Sequence, residues 1–281
     1  MTTTAPGYGQ VDRDYAMRMA TCPPEEDGPV WMVNLMHYRG EAVYADGKSG
    51  ISGREADERY APLDILSDLG AEVAFMGEVE QQILGDAPRW DRVAVVRYPT
   101  RRSFIEMQAR PDFQERHVHK EAGMAQTIVA GCLPLGPPRD LSSAQATDST
   151  DATEPAWAEV PHPPTDEDGP IVVFHLLRFH EDASETGIAA YQKAAKPVVV
   201  AQGRRVLGWF GVEGTIVGDG RAWDQAHFNA FPSLRAFNAV LDDPDRQAAQ
   251  AAHRDVAVAD TYTMVLRPTI DRLAASLAAP S

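Results

Sequence analysis

The sequence predicts an α+β fold made of two tandem units, each with the element order β-α-β-β-α-β. The first observation behind this prediction is an internal repeat. PPEEDGPVWMVNLMHYR from Pro23 matches PPTDEDGPIVVFHLLRFH from Pro163, and residues 70–104 align without gaps to residues 203–237. Repeats on this scale set the architecture before local propensities do. The second observation is that both copies show the same succession of strand-like and helix-like segments.

Each unit begins with an apolar, partly β-branched run after a Gly-Pro turn, which is typical of a buried strand. A helix follows, then two strands around a Gly-Asp turn, a helix with a Thr or Ser N-cap, and a closing strand. In the first unit these elements are predicted at Val30–Tyr38, Glu55–Leu69, Glu72–Leu84, Asp91–Tyr98, after Thr100, and at Gln126–Cys132. In the second unit they are predicted at Ile171–Phe179, Ile188–Gln202, Arg205–Val217, Asp224–Phe231, after Ser233, and at Thr261–Leu266. This order is the split βαβ, or ferredoxin-like, arrangement.

The repeat also divides the chain into domains. We expect the first unit at residues 28–135 and the second at residues 169–275. Residues 136–168 between them are rich in Pro, Ser, Thr and Asp, a composition typical of a mobile linker. Residues 1–27 and 276–281 are predicted to be poorly ordered tails or loose wraps.

Composition narrows the class of partner. The chain has 281 residues, of which 44% are hydrophobic and 24% charged, and its formal net charge is -15. This acidic balance argues against nucleic acid or a membrane as a partner and favours small molecules. We see neither an apolar run long enough to span a bilayer nor a secretory signal, so we expect a cytoplasmic location. Cys22 and Cys132 form neither a disulfide framework nor a metal-ligand spacing.

The strings WMVNLMHYR and WDRVAVVRYPTRRSF, with their counterparts in the second unit, resemble a domain-of-unknown-function family of the dimeric α/β-barrel superfamily. This resemblance implies that the two units pair through their sheets as an intramolecular pseudo-dimeric α/β barrel, with a pocket between each sheet and its helices. Enzymes of the superfamily include cofactor-free monooxygenases, polyketide cyclases, muconolactone isomerase, and heme enzymes such as chlorite dismutase and aldoxime dehydratase. The fold therefore does not select a reaction, and it leaves open whether the fused pair forms a homodimer.

Positions at which the two units differ indicate where one pocket has specialised. His175 takes the place of Asn34, and His227 takes the place of Ala94. Because the first and third strands of this arrangement lie side by side, both histidines can point into one cavity. We predict that they form a general acid/base pair with pKa values near the working pH. The alternative is that neighbours at the sheet interface satisfy both side chains.

Two charged residues of the second unit are further candidates for catalysis. Arg178 can hold a carboxylate or an enolate by paired hydrogen bonds, or it can close a surface ion pair. Glu213 lies in the middle of a strand, where burial would raise its pKa and make it a base, unless that strand edge faces solvent. The predicted substrate contacts are Asn229, Trp209, Tyr191, Gln225, Asn34 and His37.

These candidates favour a small-molecule enzyme that works without an organic redox cofactor on an apolar or aromatic carbonyl compound or phenol. Proton transfer would drive cyclisation, isomerisation, elimination or, with oxygen, monooxygenation, for example in natural-product biosynthesis. One alternative is an enzyme that holds heme or a divalent metal through His175 or His227. The other is a protein that binds a metabolite without transforming it. The sequence contains no dinucleotide-binding loop, nucleophile elbow or zinc-protease motif.

Overall fold

The computed structural model describes residues 7–48, 50–136, 156–181 and 185–278. Its strands are β1 (Gln10–Val11), β2 (Val30–Tyr38), β3 (Val43–Tyr44), β4 (Gly47–Lys48), β5 (Glu72–Leu84), β6 (Arg92–Tyr98), β7 (Met124–Pro134), β8 (Ile171–Phe179), β9 (Arg205–Gly218), β10 (Gln225–Phe231) and β11 (Val258–Asp271). Its helices are α1 (Arg13–Ala20), α2 (Gly53–Tyr60), α3 (Leu63–Asp68), α4 (Arg101–Ala109), α5 (Pro111–Gly123), α6 (Glu185–Ala201), α7 (Leu234–Asp242), α8 (Pro244–Ala249), α9 (Asp255–Ala257) and α10 (Leu273–Ala278). A π-helical turn (Gln250–Arg254) joins α8 to α9. Among the described residues, no helix has the length and apolar character needed to cross a membrane.

Eight antiparallel strands close into a barrel in the order β9-β10-β8-β11-β5-β6-β2-β7, with β7 hydrogen-bonded back to β9. Closure of a barrel pairs the strand edges that an open sheet would expose. Each half of the chain supplies four neighbouring strands, and in both halves their spatial order is second, third, first, fourth. This topology confirms the predicted α+β class and the barrel.

Side chains fill the interior of the barrel. Because residues alternate between the two faces of a strand, every second residue of each strand points inward. Phe75, Phe174 and Phe228 meet there, with ring centroids 5.3 Å apart for Phe75 and Phe228 and 4.7 Å apart for Phe174 and Phe228. Leu273 of α10 is fully buried in the same cluster. A packed interior leaves the helix-covered outer faces as the place for a ligand site.

Helices cover the outer face of both halves. On the first half, Phe104 and Phe113 belong to an apolar cluster that Tyr15 of α1 completes. On the second half, Phe231 and Phe237 belong to a separate apolar cluster beneath α6 and α7. The two faces therefore have their own packing, and they can differ in function.

The helix boundaries differ from the prediction where proline intervenes. The single helix expected at Glu55–Leu69 is two helices, α2 and α3, because Pro62 lacks an N–H and disfavours helical conformation in the residue before it. The opening strands β2 and β8 have the predicted bounds. Thr100 and Ser233 are the N-caps of α4 and α7, as predicted, and each accepts a hydrogen bond from a backbone N–H of the first turn.

Two segments that composition predicts to be loose are packed against the barrel. In the predicted N-terminal tail, Tyr15 and Met19 of α1 are each 1% exposed. In the predicted linker, Val160 is buried and the Trp157 Nε1–H donates to the Gly203 carbonyl oxygen at 2.8 Å. Burial of these apolar side chains stabilises segments whose overall composition is polar. The rest of the predicted linker, residues 137–155, lies outside the described residues.

Candidate functional site

A cavity of about 110 Å³ lies between the outer face of the second-half sheet and the helices that cover it. Its apolar walls include Ile188 and Val199 of α6 and Phe237 of α7. Its polar lining comprises His175, Tyr191, Gln192, Arg204, His227, Asn229, Arg246, Arg254 and Thr263. Since a cavity of roughly 150 Å³ can hold benzene, this space suits a molecule of about one ring or smaller.

The two candidate histidines lie directly opposite each other on adjacent strands. His227 of β10 and His175 of β8 are register partners, and both line the cavity. His175 Nδ1 lies 3.0 Å from the Thr263 hydroxyl on the next strand. His227 stacks on Trp209, with ring centroids 4.2 Å apart, and its Nε2 lies 2.9 Å from the Gln225 Oε1. Because an amide oxygen is an acceptor, this contact assigns the His227 proton to Nε2 and the lone pair to Nδ1.

Burial and positive neighbours lower the pKa of both histidines. For His227 burial has the largest effect, the charges of Arg204 and Arg254 add to it, and the pKa falls to about 3. For His175 burial again comes first, the charges of Arg254 and Arg246 contribute, and the pKa lies well below its usual value. Both imidazoles are therefore neutral at neutral pH. This corrects the prediction of pKa values near the working pH, which did not include the neighbouring arginines.

Three arginines line the cavity, and none of them is a residue that sequence reasoning singled out. Arg254 is 6% exposed, and its Nη2 has no hydrogen-bond partner among the described residues. Arg246 has a buried Nε that also lacks a partner within the described chain. Arg204 donates from Nη1 to the Asn229 Oδ1 at 3.4 Å. Since no described Asp or Glu lines the cavity, the cavity is cationic.

Differences between the halves contain a signal for part of this site. Arg246 aligns with Phe113 of the first half, and Thr263 aligns with Val129. Both are polar-for-apolar differences of the kind that singled out His227, and both residues line the cavity. The same comparison extended into α8 and β11 identifies both residues.

A second signal is a change in chain length. The segment between residues 247 and 253 is one residue longer than the aligned segment between residues 114 and 119. An i→i+5 turn accommodates an extra residue within a helix, and the π-helical turn lies here, where the first half has the continuous helix α5. The turn ends at Arg254. Such turns are rare and often occur at functional sites.

The other predicted residues of the second half divide between the cavity and its surroundings. Asn229, Trp209 and Tyr191 line the cavity, and Gln225 lies behind His227 as its hydrogen-bond partner. Arg178 is exposed and does not line the cavity. It follows His175 by three residues, and an odd spacing along a strand places a side chain on the opposite face. The prediction that Arg178 holds a substrate anion at this site is therefore wrong in geometry.

Glu213 is an ion-pair residue. Burial raises its pKa, but the hydrogen bonds from Arg101 and Tyr15 and the Arg101 charge outweigh burial, so its pKa is lowered. Arg101 Nη2 donates to Glu213 Oε1 at 2.6 Å, and the Tyr15 hydroxyl donates to Oε2 at 2.9 Å. A carboxylate held in this way is a poor base. This corrects the prediction that Glu213 has a raised pKa.

Asn34 and His37 lie on β2, in the first half, and do not line the cavity. The Asn34 amide donates to the Met32 carbonyl oxygen at 2.8 Å. His37 Nδ1 lies 3.0 Å from the Asp91 Oδ2, and both side chains are partly exposed. All of these contacts lie within the first half, so the two residues cannot contact a ligand that occupies the second-half cavity.

The cavity residues do not fit a metal ion or a heme. Within the described chain, no group of three or more His, Cys, Asp or Glu could hold a metal ion. His175 and His227 are two ligands, whereas catalytic zinc sites use three protein ligands, and the nearby arginines would repel a cation. A cavity of about 110 Å³ is well below the roughly 300–1,000 Å³ of pockets for drug-sized ligands, so it has no room for a porphyrin.

No protein-family model matches the chain, and no curated protein matches it. Among solved structures, a protein of unknown function from Rhodopseudomonas palustris is 26% identical over 47% of this chain and 99% of its own, with a TM-score of 0.41. An anthrone oxidase-like protein is 14% identical over 89% of this chain and 97% of its own, with a TM-score of 0.48. A chlorite dismutase variant from Candidatus Nitrospira defluvii is 10% identical over 89% and 95%, with a TM-score of 0.47. These scores are low, so no function follows from the likenesses.

Proposed function

We propose that the chain is an enzyme that moves protons on a small, largely apolar carbonyl compound or phenol bound in the second-half cavity. One observation carries this proposal: His175 and His227 face each other across adjacent strands and line the same cavity. A neutral imidazole that takes a proton from a bound substrate becomes an imidazolium, which can return that proton to another atom of the substrate.

The proposed chemistry needs no group beyond these side chains and the substrate. One neutral imidazole removes a proton from a carbon or oxygen of the substrate, and the imidazolium so formed delivers this proton to a second atom, so that the net result is an isomerisation and the imidazole is neutral again. The second imidazole lies beside the same substrate and hydrogen-bonds it. If proton delivery releases a leaving group, the result is an elimination. The Arg204 guanidinium and the Asn229 amide stabilise the negative charge that develops, because both are fixed polar groups in a cavity of low dielectric constant.

The surroundings of the histidines shield them from bulk water, which limits the exchange of their protons with the solvent. Trp209 and His227 are 6% and 4% exposed, and their rings stack. A shielded imidazole is a weak base in the free protein, as its lowered pKa shows for His227. A substrate that carries negative charge opposes the arginine charges, raises the pKa of the imidazoles and makes them better bases.

The proposal treats the two halves as tandem copies of one ferredoxin-like unit, of which the second carries the site. The identical strand order in both halves supports this. So do the equivalent N-caps, Thr100 of α4 and Ser233 of α7. A duplicated chain can keep one copy as a packed support while the other specialises.

Deuterium exchange tests the proposal with simple carbonyl compounds in place of the natural substrate. Acetophenone and cyclohexanone, which have acidic protons next to a carbonyl group, are incubated with the protein in deuterated buffer and followed by NMR. We expect protein-catalysed exchange that falls about 10²- to 10⁴-fold in His175→Gln and His227→Gln. His180→Gln is the matched control, because His180 directly follows β8 and is exposed. Full exchange activity in both cavity variants, or none in the unaltered protein, would contradict the proposal.

A second candidate function is binding of the same class of molecule without chemistry. The observation in its favour is that both imidazoles already have hydrogen-bond partners and are neutral. A ligand that binds only the folded protein raises the melting temperature. Stabilisation by the carbonyl probes without any exchange would select this candidate, and an absorption spectrum with metal analysis of the purified protein checks the heme and metal alternatives.

A further inference from the structure

We propose that the second-half cavity is a binding site for a small apolar carboxylate, with the carboxylate group at Arg254 and Arg246. The evidence for the binding site is the set of contacts described below. The further statement, that the carboxylate is part of the substrate, depends on the proposed function. The proposed ligands are therefore one-ring carboxylates, a chemical class that neither the composition of the chain nor its fold predicts.

Arg254 is the central observation. The side chain is 8% exposed, and burial lowers its pKa, so the protein bears the cost of a desolvated guanidinium. Among the described residues its ion-pair partner is Asp255, which lies 3.9 Å from Nη1 and is 51% exposed, so this pair is long and solvated. Nη2 lacks a partner within the described chain. A buried cation that lacks a close partner is strongly unfavourable, and an anion in the cavity removes that penalty.

Further cavity atoms have unused hydrogen-bonding capacity. The Arg246 Nε, the Trp209 Nε1 and the Gln192 Oε1 are buried, and in the described part of the chain none of these atoms has a partner. All three residues line the cavity with Arg254. Most of these groups are donors, and native proteins leave few buried donors unpaired. A ligand with several acceptor atoms matches this set, and a carboxylate offers two oxygens to a guanidinium fork.

At the equivalent position of the first half, a carboxylate of the protein itself lies near the buried cation. Lys120 aligns with Arg254. Burial lowers the Lys120 pKa, and the charge of Asp57 on α2 partly opposes this effect. Asp57 is 8% exposed and accepts a hydrogen bond from the Tyr38 hydroxyl at 2.8 Å. The same carboxylate pairs with Arg92 at 3.4 Å, so the first half has a buried carboxylate of its own whose charge acts on both cations.

The second half has an apolar residue where that carboxylate would be. Gly187 of α6 packs against Ala257 as Ala56 of α2 packs against Gly123, and these contacts align Ile188 with Asp57. Ile188 lines the cavity. Replacement of the internal carboxylate by an aliphatic side chain leaves the cation in place and opens a space beside it. The geometry assigns this space to an external carboxylate.

The remaining walls specify the body of the ligand. Ile188, Val199 and Phe237 provide an apolar surface, and the volume of about 110 Å³ limits the body to about one ring. Benzoate combines one planar ring with one carboxylate. Benzamide has the same shape without the charge, and it separates recognition of the carboxylate from burial of the ring.

Calorimetric titration of the full chain with benzoate, benzamide and inorganic phosphate tests the inference. We expect benzoate to bind at least about tenfold more tightly than benzamide, because hydrogen bonds to a charged group are worth about 10- to 100-fold in affinity. Arg254→Gln should lose about that factor for benzoate and little for benzamide, and Arg246→Gln should lose less. Arg235→Gln is the matched control, because Arg235 is an exposed arginine on α7 paired with Asp168.

Several outcomes would overturn the inference: equal binding of benzoate and benzamide, tighter binding of phosphate, no binding of benzoate, or unchanged benzoate binding in Arg254→Gln. If circular dichroism shows that Arg254→Gln does not fold, the comparison of benzoate with benzamide and the Arg246→Gln variant still decide. Failure of the proposed function has a different signature. In that case the histidine variants retain deuterium exchange, while the preference for benzoate persists.

Discussion

The helix-covered faces of the two halves show how one position in a fold serves as core in one copy and as a candidate site in the other. On the first half, Phe113 is 2% exposed and packs edge-to-face on Tyr60, with ring centroids 5.8 Å apart. The aligned residue of the second half is Arg246, which lines the cavity. Side-chain replacements, one extra residue and a single helix α6 in place of α2 and α3 distinguish these faces, whereas the strand order beneath them is the same.

The electrostatic difference is as informative as the packing difference. In the first half the charge of the buried Asp57 carboxylate, which pairs with Arg92, also acts on the buried cation Lys120. In the described part of the second half, the carboxylate paired with Arg254 is the solvated Asp255 at 3.9 Å. The comparison teaches that a binding site can arise where an internal carboxylate is replaced by an aliphatic residue and a new cation, Arg246, is added beside the existing one.

The largest effect is expected from truncation of matched aromatic residues. Phe104 and Phe237 align, are 7% and 5% exposed, and each pack against one aromatic ring at 5.3 Å. Phe104→Ala should cost about 3–5 kcal/mol, because it opens a void in a filled core. Phe237→Ala should cost less, because Phe237 already borders a cavity. Denaturant unfolding measures both, and equal costs would mean that the two faces are equally packed.

The next effect concerns the internal carboxylate. Ile188→Asp gives the second half the counter-charge that the first half has, so it should compete with the ligand. We expect benzoate affinity to fall about 10- to 100-fold, the contribution of charged hydrogen bonds. Ile188→Asn is the control of equal size without the charge, and it should retain most of the affinity. Calorimetry compares the variants, and the same loss in both would show that shape alone is responsible.

A smaller effect appears in the pH dependence of stability. The His227 pKa is lowered to about 3 in the folded protein, whereas the usual value is about 6.5. Between these values the unfolded chain binds a proton that the folded chain does not. The free energy of unfolding therefore falls with decreasing pH, by at most about 1.4 kcal/mol per pH unit for this group.

Denaturant unfolding from about pH 7 to about pH 5.5 checks this prediction. The difference in slope between the unaltered protein and His227→Gln isolates the group from the carboxylates. Benzoate should reduce that difference, because its charge raises the His227 pKa. His117 of the first half, whose pKa burial and Lys120 lower to about 4, supplies the comparison. If benzoate changed the His117 contribution to the same extent, its site would not be confined to the second half.

The smallest effect is expected at the equivalent N-caps. Thr100→Ala should cost about 1 kcal/mol, the usual value of a lost cap. Ser233→Ala should cost more, because the buried Ser233 hydroxyl also donates to the His162 carbonyl oxygen at 2.8 Å. Thermal unfolding of both variants measures the difference. The opposite ranking would show that the first half depends more on its cap.

Local pattern was sufficient for most of the fold. Apolar runs predicted β2 and β8 with the observed bounds, because their short length, their β-branched residues and the preceding Gly-Pro turn together favour a buried strand over a helix. The internal repeat singled out His175 and His227 as differences between the halves, and the ferredoxin-like strand order placed their strands side by side, as observed. Sequence reasoning predicted poorly where a side chain finds its partner across the fold. Glu213 pairs with Arg101, more than a hundred residues away, and that contact reverses the direction of its pKa shift.

The arginines of the cavity are a second case in which the sequence alone does not show which residues are close together in the fold. Arg254 reaches the cavity through a π-helical turn, and its lack of a close counter-charge depends on which α6 residue faces it. Neither property follows from the local string HRDVA. Comparison of the two halves position by position contains the information, because Arg246 and Ile188 stand where Phe113 and Asp57 stand in the first half.

A crystal structure of the full chain with benzoate tests the central claim most directly. We expect one benzoate in the second-half cavity, with a carboxylate oxygen within hydrogen-bond distance of Arg254 Nη2 and the ring between Ile188 and Phe237. His175 and His227 should both lie beside the bound molecule. A second-half cavity without benzoate at saturating concentration, or a benzoate whose carboxylate points away from Arg254, would contradict the claim.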